Sequence, residues 1–215
     1  MGQSYARCKT RYCDRRRDSY PPPASRLGAW ETQVMIIGLD LAGVPKNPSG
    51  FARLSNSKFQ TSLIYSDDEI LGQCTRSGVK LVAIDAPLSL PQQGNLRRAD
   101  TLLIQRGFRV FPPTFAGMRS LTERGIRLAD MLRAKNLRVI EIHPRTSGML
   151  LFKTPDRRQW MVKLKRKGMK LKENASEHEI DAALAALTGA LHLKGKTEEV
   201  GTASEGTIII PRGEL

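Results

Sequence analysis

Four acidic residues of the 215-residue chain stand where chemistry is easiest to build, at the ends of short apolar runs or at the start of a helix. Val34 to Leu39 runs into Asp40, Val79 to Ile84 runs into Asp85, and Glu141 sits within the run Leu137 to Ile142. Continuous apolar runs of that length read as strands buried on both faces. The ends of such strands form the ligand crevice of an open α/β sheet. The fourth acid, Asp181, lies one turn into a helix opening at Ser176. Carboxylates gathered in one crevice repel one another and lose hydration, so a hard dication is expected to neutralise them, and oxygen donors suit Mg²⁺ or Mn²⁺. Two such ions would activate a water and stabilise the leaving oxygen of a phosphodiester. Taken singly, each acid is equally well a solvated residue at a strand end.

Other residue types point the same way. His178 lies three residues before Asp181, on nearly the same helical face, and is a candidate general acid or substrate ligand; a first-turn surface histidine is the alternative. Arg97 and Arg98 follow the second strand-acid unit, where a guanidinium grips a phosphate with two parallel bonds or joins a surface ion pair. Residues 157 to 172 hold Arg157, Arg158, Lys163, Lys165, Arg166, Lys167, Lys170 and Lys172, no acid, and Trp160 among them. With a formal charge of +14 and a pI near 10.1, this segment (153–175) reads as a basic flap that attracts phosphates and stacks a base on Trp160. The plainer reading is a solvated loop. Phe111-Pro112-Pro113-Thr114-Phe115 shapes the same mouth or packs as an apolar loop on the domain edge. His143 reads as a packed residue at a strand end, and His192 as a helix C-terminal cation.

Composition narrows the class. With 40% hydrophobic and 26% charged residues, the chain is globular rather than disordered or collagen-like. No apolar stretch approaches a membrane span, and the N-terminus carries basic residues with no apolar segment before Val34, so a cytoplasmic protein is expected. Cys8, Cys13 and Cys74 are too few and too scattered for a disulfide framework or a structural zinc. Residues 1–33, with seven basic residues and Pro21-Pro22-Pro23, read as a basic disordered arm before one domain over 34–215.

The elements that must position these residues follow from period and punctuation. Phe51 to Leu54 and Phe59 to Tyr65 flank Ser55-Asn56-Ser57-Lys58, a hairpin signal that completes a three-stranded meander with the first run. Asp67–Arg76, Asn95–Arg106 and Leu121–Lys135 read as helices. Ser176-Glu177-His178-Glu179 is a capping box, and Ile180, Leu184, Leu187 and Leu191 form one apolar stripe behind it. The class is α/β with a mixed sheet.

Taken in order, Ile37-Gly38-Leu39-Asp40, Val82 to Leu88, Arg98-Ala99-Asp100, Ile140 to Pro144, His178 to Leu184 and Glu205 to Pro211 resemble the domain-of-unknown-function family 429 of prokaryotic proteins, described as predicted nucleases with a ribonuclease H-like fold. The resemblance spans Met35 to Pro211. It implies a five-stranded mixed sheet of order 3-2-1-4-5 flanked by helices. It also implies that Asp40, Asp85 and Asp181 bind the metal, with Glu141 as a further acid.

Two functions from different classes follow. One is an Mg²⁺- or Mn²⁺-dependent nuclease acting on DNA or RNA; the other is a binding module that uses the arm and flap to hold nucleic acid while its acids are structural. Phosphoryl transfer of the actin-like kinase type ranks last, since such enzymes need two domains of this kind and no Gly-rich Lys-Ser/Thr loop is present. Junction-resolving enzymes of this fold are dimers, so a homodimer is open, although no residue pattern marks a dimer face.

Overall fold

The computed structural model describes residues 34–214; the basic arm, with Cys8 and Cys13, and Leu215 lie outside the described residues. The first apolar run forms β1 (Met35–Asp40), followed by β2 (Ser49–Ser55) and β3 (Lys58–Ile64) in an antiparallel meander. Its hairpin turns at Asn56 and Ser57, both with left-handed backbone (φ 47° and 61°), the geometry whose twist matches the flanking strands. α1 (Asp67–Cys74) starts where the Ser66 hydroxyl accepts the Glu69 amide, and β4 (Val79–Asp85) then runs parallel to β1. After α2 (Arg98–Gln105) and α3 (Ala116–Arg133), β5 (Val139–Ile142) lies parallel to β4. α3 begins before the expected Leu121 because Ala116 and Gly117 are exposed and add nothing to the apolar period.

The expected order 3-2-1-4-5 is present, running from the edge strand β3 to β5, in the mixed, helix-flanked α/β sheet of the ribonuclease H-like class. Two more strands correct the five-strand expectation: the order is β3-β2-β1-β4-β5-β7-β6. β7 (Gly206–Pro211) is parallel to β5, and β6 (Thr197–Thr202) pairs antiparallel to β7 at the edge. The sequence of β6, Thr-Glu-Glu-Val-Gly-Thr, has no apolar run, because an edge strand buries little beyond Val200, which packs with Ile208 and Ile210 against Ala99 and Leu103 of α2.

Helices cover both faces. Ile37, Leu39, Val82 and Ile84 meet α1 and α3 on one side. Ile36, Leu81, Ala83, Ile140 and Ile142 meet α4 (Pro144–Phe152), α5 (Arg157–Arg166) and α6 (Glu177–Leu193) on the other. α6 starts at the expected capping box on Ser176 and Glu179. It is buried well beyond its stripe of Ile180, Leu184, Leu187 and Leu191, because α4 and α5 pack over its outer side. The basic flap is thereby corrected: its first half is α5, anchored by Trp160 and Leu164, both buried. Among the described residues no helix is long and apolar enough to cross a membrane.

Candidate active site

Strand parity decides which acids share a site. Side chains alternate across a sheet, so Asp40 follows Ile36 and Gly38 onto the α6 face, and Asp85 follows Leu81 and Ala83 onto the same face. The two are direct register partners at the C-terminal ends of neighbouring parallel strands. Both are half-buried, and they line a cleft of about 210 Å³. The Asp85 side chain has no hydrogen-bond partner among the described residues.

Glycines let α6 reach them. A Cβ on Gly38 would lie 2.0 Å from the Ala182 carbonyl oxygen, and one on Gly50 would lie 2.0 Å from that of His178. Only glycine admits a helix backbone this near the sheet. Gly50 is also the β2 register partner of Asp40, so the close approach that seats the first turn of α6 places His178 over Asp40. His178 Nδ1 is 2.7 Å from Asp40 Oδ2. Asp181, beside Ala182, is held from the other side by the first residue of α5: Arg157 Nε and Nη2 donate to its two oxygens at 2.8 and 2.5 Å.

The electrostatics are those of an under-neutralised acid group. Loss of hydration, followed by the charges of Asp40, Asp181 and Glu141, pushes the Asp85 carboxyl well above the usual carboxylate range. Burial also raises Asp40, against the opposing His178 bond, and it raises Asp181 although Arg157 opposes it. Arg157 is held more firmly charged by its Asp181 bond. The donor chemistry, carboxylate oxygens with raised affinity for positive charge, fits a hard dication. As the side chains stand, no three His, Cys, Asp or Glu groups among the described residues form a ready metal cage; Asp181 is paired with Arg157 and Asp40 with His178.

Glu141 takes a different place. It is the register partner of Ile84, so it points to the opposite face from Asp85. There, 6% exposed, it accepts from Arg97 Nη1 and Nη2 at 2.7 and 2.6 Å and from the Leu88 amide at 2.8 Å. Arg97, only 1% exposed, also bonds both oxygens of Asp100 at 3.0 and 2.9 Å. Burial works against the charge on Arg97, but Glu141 and Asp100 outweigh it and raise its pKa; burial raises Glu141, with Arg97 offsetting in part. This network clamps the loop after β4. The ion-pair reading of Arg97 therefore applies, in buried form, and its donors are already used; Arg98 keeps an exposed side chain while its amide donates to Glu205 at 2.9 Å.

The other expected nucleic-acid residues divide. Trp160 is fully buried, its Nε1 donating to the Thr154 carbonyl at 2.7 Å, so it has no face for a base. Lys163 Nζ bonds the Phe152 carbonyl at 2.5 Å. Lys165 is exposed beside Glu173, and Arg166 and Lys167 are exposed. Phe111 and Phe115 are each 60% exposed rather than packed. His143 bonds Thr146, and His192 bonds Thr197. Sequence reasoning passed over Arg157 as a site residue, since it stood as one of eight like charges and its contact with Asp181 is made between two helices.

Similarity in shape was found to Thermus thermophilus RuvC. Its structure in complex with a Holliday junction substrate matches at 14% identity, covering 81% of this chain and 99% of that one, with a TM-score of 0.47. A second structure of the same protein matches at 14% identity over 75% of this chain and 96% of that one, with a TM-score of 0.48. No family model and no curated protein sequence matches the chain.

Proposed function

We propose that the chain is a divalent-metal-dependent nuclease, of the kind that the domain-of-unknown-function family 429 is described as containing, hydrolysing phosphodiester bonds in DNA or RNA. One observation carries the reading: Asp40 and Asp85, side by side in register on the α6 face, are raised in pKa, with Asp181 brought over them by the α6 packing. A structural role does not require two half-buried carboxylates next to each other without a shared cation. Asp40, Asp85 and Asp181 would hold Mg²⁺ or Mn²⁺, which would supply an activated water and charge stabilisation at the leaving oxygen. His178, bonded to Asp40 through Nδ1, is oriented to hold or release a proton at Nε2. Glu141 would act at one remove, by fixing through Arg97 the loop that follows Asp85.

The second reading, a nucleic-acid-binding module with structural acids, is favoured by Arg157 and His178 already pairing with Asp181 and Asp40. Isothermal titration of Mn²⁺ into wild type and Asp40→Asn, with circular dichroism to confirm folding, separates them. The nuclease reading expects wild-type binding that the variant loses. Mg²⁺-dependent cleavage of labelled branched, double-stranded or single-stranded DNA or RNA should then fall at least about 10²-fold, the scale of losing one charge-stabilising group. Binding of nucleic acid with no metal uptake and no cleavage would favour the module.

A further inference from the structure

Between α5 and the first turn of α6 the surface opens into a groove of about 1100 Å³. Met161, Leu171 and Ile180 give it an apolar floor, and its rim carries Arg158, Lys165 and Lys170. Acids on the same rim, Asp156, Glu173 and Glu177, moderate that charge. The Lys165–Glu173 pair across it is 3.7 Å long and 78% and 94% exposed, a contact that opens readily. Arg157 belongs to this lining while bonding both oxygens of Asp181, so its guanidinium stands where the groove meets the acids. It keeps 24% exposure, lies 3.4 Å from Glu177 and sits 5.9 Å from the buried Trp160 ring.

We propose that Arg157 is a two-position phosphate ligand. It rests on Asp181 while the acids hold no dication, and it turns to a phosphodiester oxygen of a strand lying in the groove once a dication takes over the charge of Asp181. The inference rests on the nuclease reading above. The fork that fits Asp181 with two bonds fits a phosphate equally well. A dication beside Asp181 repels the guanidinium and shares the carboxylate that held it. α5 need not move, because Trp160 and Leu164 anchor it and only the partly exposed Arg157 side chain has to turn. The apolar floor suits base faces, and with Arg157 the four cations of the lining exceed its three acids by one, which leaves the guanidinium beside Asp181 as the charge that a phosphate meets where the groove reaches the acids.

The test uses Arg157→Gln and Arg157→Lys in the full chain, with circular dichroism as the folding control. Mn²⁺ titration reads the resting position, and anisotropy of a fluorescein-labelled oligothymidylate, in Ca²⁺ against EDTA, reads the other. Removing the resident competitor should tighten Mn²⁺ binding about ten-fold in Arg157→Gln. Wild type should bind the oligonucleotide about ten-fold more tightly in Ca²⁺ than in EDTA, a gain absent from Arg157→Gln. Arg157→Lys, which keeps the charge but not the fork, should fall between on both measures and carries the test if the glutamine variant does not fold. Mn²⁺ affinity unchanged or weakened in the folded variants, or a Ca²⁺ gain that stays at its wild-type size in them, would overturn the proposal alone. Absence of Mn²⁺ binding in wild type and variants alike would bring down the nuclease reading with it.

Discussion

Two arginine–carboxylate clusters sit at the same end of the sheet on opposite faces, built from the same residue types with opposite character. On the α3 side, Arg97, Asp100 and Glu141 are 1%, 0% and 6% exposed, and their carboxylate oxygens all accept from Arg97, with the Arg97 and Leu88 amides adding further donors. On the α6 side, Arg157 and Asp40 keep 24% and 17% exposure, and the Asp85 side chain has no hydrogen-bond donor among the described residues. The closed cluster has one satisfied arrangement, so its charges hold a loop. The open one is short of positive charge and reachable by solvent, and such a group is where a cation or a substrate gains the most.

Breaking the closed cluster should produce the largest effect. Arg97→Met leaves Glu141 and Asp100 buried without a counter-charge and should destabilise the fold by about 3–5 kcal/mol in urea unfolding. Arg157→Met on the open side leaves a carboxylate that water can reach and should cost far less. Equal losses in the two variants would erase the distinction between the clusters.

A second test uses His143, which lines the same small cleft as Asp85 and Glu141. Burial, helped by Arg145, holds its pKa down to about 4. A histidine depressed from 6.5 folds best in its neutral form, so its stability contribution is complete above the unfolded value and is lost as pH falls from about 6.5 through about 4. The full loss is about 3 kcal/mol. Urea midpoints of wild type and His143→Gln at pH 7 and 4.5 should therefore converge on acidification. A constant gap between them would show that the histidine is not buried neutral.

The third effect has the opposite sign. Asp85 is raised by lost hydration and by its acidic neighbours, so the stability linked to it is complete below the unfolded pKa near 3.8 and is lost as pH rises through the folded value. At neutral pH without metal, Asp85→Asn should stabilise the protein by about 1 kcal/mol, the order of a like-charged pair on neighbouring strands. Saturating Mn²⁺ should reverse the ranking, since only wild type gains binding energy. Thermal melts with and without Mn²⁺ check both signs, and a variant less stable than wild type under metal-free conditions would move Asp85 into the structural class.

These contrasts also explain what was legible in the sequence. Apolar runs marked β1, β4 and β5, and Ser176 with Glu179 marked the start of α6, because burial and capping are local signals. The face of Glu141 was not legible: a strand buried on both sides shows no alternation, so position at a strand end gave no parity until register with Ile84 fixed it. Trp160 was misjudged because the cations around it mask the helical period that buries Trp160 and Leu164. β6 went unseen for want of an apolar run. The proximity of Arg157 to Asp181 depends on how α5 packs over α6, a long-range fact with no local mark.

The smallest expected effect tests whether the outer face of α5 meets nucleic acid at all. Lys165 is 78% exposed and pairs only loosely with Glu173, so Lys165→Ala should change stability by less than about 0.5 kcal/mol. If the groove carries a strand, that lysine neutralises a phosphate and releases a counterion, and its loss should lower the slope of log affinity against log salt by about 1. Oligonucleotide binding measured across a salt series reads the slope directly. An unchanged slope in Lys165→Ala, with a changed one in Arg157→Gln, would confine the contact to the end of the groove beside the acids. Lys165 and its exposed neighbour Arg166 would then act only through the general field of a +14 chain.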